Sequence, residues 1–138
     1  MRASIGVLVL AASLSAWPMA ASADCPLDLG RGTGWVVFSD RAMIAFRPEP
    51  MRIEVGQPFS LLFNVCTRKN DPAELLAVDA HMPEHRHGMN YRATIVSAGE
   101  GRFRAEGLVF HMPGRWELDI DVRAGSETER LNHEIVVK

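Results

Sequence analysis

The chain has 138 residues, with 15 lysines and arginines set against 17 aspartates and glutamates, for a formal net charge of −2. No basic run or stripe is present, which excludes nucleic acid as a natural partner and removes the case for a polybasic membrane patch. Apolar residues make up 47% of the chain, and no linker, low-complexity tract or charge block divides it, so one domain with one core is expected.

Residues 1–23 read as a cleaved signal peptide. Arg2 supplies the positive start, Ile5 to Leu14 the short apolar stretch, and Ala21-Ser22-Ala23 the small-residue cleavage site. The apolar run is shorter than the roughly 20 residues a spanning helix needs, and no later segment approaches that length, so no transmembrane anchor is expected. Asp24 stands before Cys25 where a lipidated cysteine would follow a small residue, which argues against a lipid anchor. The mature domain is therefore expected to cover residues 24–138 and to be periplasmic or secreted. Cys25 and Cys66 suit an oxidising compartment and most simply pair with each other. Such a bridge would contribute roughly 4 kcal/mol in the chain-entropy picture. Two free thiols serving as soft copper ligands are the alternative.

Along the mature chain a period of two dominates, and no stretch of ten residues keeps a helical period. The alternation predicts strands at Trp35–Phe38, Met43–Phe46, Met51–Val55, Phe59–Val65, Leu75–Met82, Asn90–Val96, Arg102–Phe110, Trp116–Val122 and Leu131–Val137. Turn residues separate them at Gly56-Gln57-Pro58, Lys69-Asn70-Asp71-Pro72, Gly99-Glu100-Gly101, Pro113-Gly114 and Ala124-Gly125-Ser126. Strands of this length and spacing predict an all-β, immunoglobulin-like antiparallel β-sandwich. Phe59, Leu61, Phe63 and Val65 form one inward set, and Trp116, Leu118, Ile120 and Val122 another. Leu76, Val78, Ala80 and Met82 share an inward face, which turns Asp79 and His81 outward. By the same rule Leu108, Phe110 and Met112 point inward and His111 outward.

The chemistry is concentrated in Ala80-His81-Met82-Pro83-Glu84-His85-Arg86-His87-Gly88-Met89, with His111-Met112-Pro113 repeating the first triplet. Imidazole and thioether together favour copper, since soft sulfur suits Cu(I) and imidazole suits several transition metals. The candidate ligands are His85, His87, His81 and His111, then Met89, Met112 and Met82, with Glu84 or Asp79 placed to orient an imidazole. Met82 and Met112 have an equally ordinary role as core fillers. His133 shares a face with Ile135 and Val137 and reads as a satisfied core or edge histidine. Three histidines with an open position also suit zinc.

The run from Val55 to Arg123 resembles the YtkA-like domain family, to which FixH-type proteins are related. The residues that carry the likeness are Val55-Gly56-Gln57-Pro58-Phe59, Ala80-His81-Met82-Pro83 with His85, His87 and Gly88, Gly99-Glu100-Gly101-Arg102-Phe103, and Phe110-His111-Met112-Pro113-Gly114-Arg115-Trp116-Glu117-Leu118. The resemblance implies a small exported or membrane-anchored β-sandwich associated with copper handling or oxidase assembly.

No nucleophile with a base and an orienting third group is recognisable, and the expected mature terminus, Asp24, lacks the amino-terminal histidine of copper monooxygenases, so no enzyme is expected. The reading is an exported copper-binding protein or metallochaperone for Cu(I) or Cu(II), exchanging metal with a donor or acceptor protein or a membrane complex. The alternative is a metal-free exported module that docks on a membrane complex through an edge strand or its histidine-rich loop.

Overall fold

A computed structural model describes residues 29–30 and 33–138. The signal segment and Cys25 lie outside those residues, and so does the expected pairing of Cys25 with Cys66. The described residues contain nine strands: β1 (Trp35–Phe38), β2 (Ala42–Glu49), β3 (Pro58–Thr67), β4 (Ala73–Met82), β5 (His87–Gly88), β6 (Thr94–Gly99), β7 (Arg102–Val109), β8 (Gly114–Ala124) and β9 (Glu127–Val137). Among them no helix is long and apolar enough to cross a membrane.

Two antiparallel sheets form the domain, one in the order β1-β2-β3-β7-β6 and the other in the order β5-β4-β8-β9. Leaving β1 aside, those orders are the A-B-E-D and C′-C-F-G sheets of an immunoglobulin-like sandwich. The expected all-β, immunoglobulin-like fold is what the chain adopts. The two expected inward sets, Phe59 to Val65 and Trp116 to Val122, are buried. They meet Ile44 and Phe46 from β2 and Leu131, Ile135 and Val137 from β9 in one core. Burying each such side chain contributes about 1.5–3 kcal/mol, which outweighs the weak intrinsic preferences of individual strand residues.

Four expectations from alternation need correction. Leu75, not Leu76, is buried with Val78, because a bulge in the β4–β8 ladder between Leu75 and Ala77 shifts the inward parity by one residue. Residues 51–55 alternate in burial but pair with no strand. Ile53 and Val55 pack on the core while the backbone turns, with the Gln57 N–H donating to the Glu54 carbonyl at 3.2 Å. The strand expected at 90–96 begins only at Thr94, leaving 90–93 irregular. His111 is not turned outward: β7 ends at Val109, so its alternation no longer governs position 111.

His133 faces inward on β9, opposite Leu118, with its ring 5.3 Å from both Trp35 and Phe46. It is not fully satisfied, since its Nε2 is buried without a hydrogen-bond partner. Burial lowers its pKa below 6.5, with the nearby Glu134 carboxylate partly opposing. The folded state therefore binds this proton less readily than the unfolded chain does. Stability from this site is fully present above pH 6.5 and is lost as the pH falls through the lowered folded value. In His133→Phe this component of acid destabilisation should vanish. Urea midpoints measured for both proteins from pH 7.5 down to about 5 check it: parallel curves would refute the assignment.

Candidate functional site

The β4–β5 hairpin sets the geometry of the histidine cluster. Met82 ends β4, Pro83 to Arg86 make the turn, and His87 returns opposite Met82 while Gly88 returns opposite His81. The N–H groups of His85 and Arg86 both donate to the Met82 carbonyl, at 3.1 and 3.0 Å, and Arg86 takes a positive φ of 54° to close the turn. Gly88 passes so close to β4 that a Cβ there would stand 3.3 Å from the Ala80 carbonyl. Ion pairing between Arg115 and Glu84 at 3.2 Å fastens the exposed turn to β8.

Cross-strand partners share a face, so His87 lies on the inward side with Met82 and His81 on the opposite side. The predicted four-histidine set accordingly divides. His87 and His111 bring their ring centroids within 5.0 Å, and His85, exposed on the turn, stacks on His87 at 5.8 Å. Both His87 and His111 meet the buried Trp116 ring edge to face, at 6.1 and 5.4 Å. Their Nδ1 atoms are buried and have no hydrogen-bond partner. A polar atom left in that state costs about 1–3 kcal/mol unless something binds it.

The three methionines have different surroundings. Met82 is 1% exposed and belongs to the core, where it is the residue paired with His87. Met89 and Met112 are half-buried against the same core. The Met89 N–H donates to the Ala80 carbonyl at 3.1 Å, and the Met112 carbonyl accepts the Trp116 indole N–H at 3.0 Å. Tyr91, just beyond the cluster, is exposed.

His81 stands on the outer face of β4 and β8. Its Nδ1 is 3.2 Å from Asp119 and its Nε2 3.9 Å from Glu117. Sequence reasoning gave no role to Glu117 or Asp119. Their outward positions were readable from the alternation of β8, but their closeness to His81 depends on the β4–β8 register, which a single sequence does not display. Among the described residues, His81, Glu117 and Asp119 are the set of three potential ligand side chains whose donor atoms lie within 4.8 Å of one another.

Compared with known proteins, the chain matches no family model, no curated protein and no solved structure.

Gly114 opens β8 with a φ of 128°, and a Cβ there would stand 2.8 Å from Met82 Cε. Gly99 has a comparable φ of 125° but open space around it. Gly114→Ala should lose about 1–3 kcal/mol from backbone strain plus a further loss from displacing Met82. Gly99→Ala should show the strain alone. Urea midpoints of the two variants, compared directly, check the difference.

Proposed function

We propose that this is an exported copper-binding protein that holds the metal at the His87–His111 pair and exchanges it with another protein. The observation that carries the reading is the pair of buried, unpartnered Nδ1 atoms on rings 5.0 Å apart. Two imidazoles bound to one ion at about 2.0–2.1 Å and near-tetrahedral angles have their centroids about 5 Å apart. A metal there would satisfy nitrogens that otherwise carry an unmet desolvation cost. His85, exposed and already stacked on His87, joins by rotating its side chain, and its exposure gives a donor or acceptor protein access to the ion. Met82 supplies a thioether from the core side through its pairing with His87, with Met89 and Met112 as the other sulfur candidates. Sulfur with imidazole favours Cu(I), whereas an all-imidazole site suits Cu(II) or Zn(II).

Export to an oxidising compartment rests on the signal-like residues 1–23, and Cys66 is not a free thiol, which agrees with pairing to Cys25. The likeness to YtkA-like proteins agrees with copper handling but carries none of the argument. Binding and transfer, without catalysis, are the proposed activity.

The decisive experiment is an anaerobic Cu(I) titration of the metal-stripped protein against a chromophoric chelator, repeated with Cu(II) and Zn(II). One equivalent of copper should bind, and His87→Ala/His111→Ala should weaken it by about 100-fold or more, beyond the loss expected from disturbing a supporting partner. His85→Ala should weaken it less. Retained Cu(I) affinity in the double variant would refute the site. Failure of all three ions would leave the metal-free docking module as the better reading.

Trp116 offers a separate check, because its ring touches both imidazoles. With residues 1–23 removed and Trp35→Phe in place, Trp116 is the remaining tryptophan. Copper added up to one equivalent should then quench most of its emission. Copper bound without quenching would place the ion away from His87 and His111.

A further inference from the structure

We infer that the outer face of β4 and β8 carries a second metal site, for a divalent transition-metal ion of the zinc class, built from His81, Glu117 and Asp119. This inference stands apart from the copper reading, because His81 faces away from His87 and shares none of its ligands. His81 and Glu117 are direct cross-strand partners, and Asp119 lies two residues along the same face of β8. One donor atom from each of the three falls within 4.8 Å of the other two. Small side-chain rotations separate that arrangement from the roughly 3.4 Å spacing of donors around a tetrahedral ion bound at about 2.1 Å.

Two further features point to a cation. Asp79 and Asp119 are directly paired across the strands, a like-charge arrangement that destabilises a sheet when nothing neutralises it. Among the described residues no arginine or lysine forms an ion pair with Asp79, Glu117 or Asp119. Arg130 is the nearest cation in effect, but its guanidinium fork is taken by Asp121, at 2.6 and 2.8 Å. The other feature is the orientation of Asp119. The Asn132 amide donates to its Oδ1, leaving Oδ2 turned to His81 Nδ1 at 3.2 Å. Metal-binding carboxylates are commonly held by a hydrogen bond of this kind.

One imidazole and two carboxylates form a borderline, oxygen-rich set without sulfur, which suits Zn(II) and neighbouring divalent ions and disfavours Cu(I). Half-exposure of His81 and Glu117 leaves the remaining coordination positions to water or to a ligand from solution.

The test uses the His87→Ala/His111→Ala protein, metal-stripped, so that the other cluster does not contribute, and titrates it with Zn(II) against a chromophoric chelator. One equivalent should bind. Adding Glu117→Gln/Asp119→Asn should weaken that binding by about 100-fold or more, with an unchanged far-ultraviolet circular dichroism spectrum. His81→Gln, a single exposed-face change, should do the same and decides the matter if the carboxylate variant fails to fold. No zinc bound in the starting protein, or binding unaltered by His81→Gln, would overturn the site whatever the outcome of the copper titration.

Discussion

The arrangement around the histidines depends on the burial of Trp116. Its ring is fully buried on β8 and stacks on Phe110 at 4.7 Å, and its indole N–H reaches back to the Met112 carbonyl. A buried indole must find an acceptor, and this one finds it in the irregular link between β7 and β8. That bond, together with the Gly56 N–H donating to the Phe110 carbonyl at 2.8 Å, holds residues 110–113 where His111 lies over the edge of the tryptophan instead of out in solvent. The β4–β5 hairpin then lays His87 on the same ring from the neighbouring strand. The rigid sandwich thus supplies a platform on which two segments some 25 residues apart in sequence set their imidazoles side by side.

Much of the fold could be read from alternation, because each face of a strand meets either core or water and the side-chain period is fixed at two. Where that period is interrupted, the reading failed for definable reasons. The bulge beside Leu75 and Ala77 exchanges Leu76 for Leu75 in the core. A similar change of parity occurs in β7, where Phe103 and Ala105 are buried and then Leu108, with Gly107 at a φ of 81° between them. Residues 51–55 show the converse limit: alternating burial reports contact with a core, not membership of a ladder. The two-residue β5 carries too few positions to have any period at all, yet its pairing is what separates His81 from His87.

The candidate sites were legible as composition but not as geometry. His81-Met82-Pro83 and His111-Met112-Pro113 are identical triplets with different fates. In the first, strand pairing sends the histidine outward and the methionine into the core; in the second, an unpaired segment holds the histidine against Trp116 and leaves the methionine half-buried. Proline ends each segment because it has no N–H to give a ladder, so the triplet marks a strand end without specifying which face its histidine takes.

The two histidine environments also differ in the company each keeps, and that bears on how one small domain would sort metals. Around His87 and His111 the neighbours are the Trp116 indole ring and the His85 imidazole, with Met82 paired across the strand from His87. Around His81 they are carboxylates on an open sheet face. On the proposed reading, soft, weakly hydrated Cu(I) would gain most from the first environment, while a strongly hydrated divalent ion would gain from the negative charge and retained water of the second. Since the sheet itself stands between them, occupancy of one need not rearrange the other. Selectivity would then come from ligand type and exposure, and the alternation of a single strand would be the device that keeps His81 and Met82, adjacent in the chain, on opposite sides of that division.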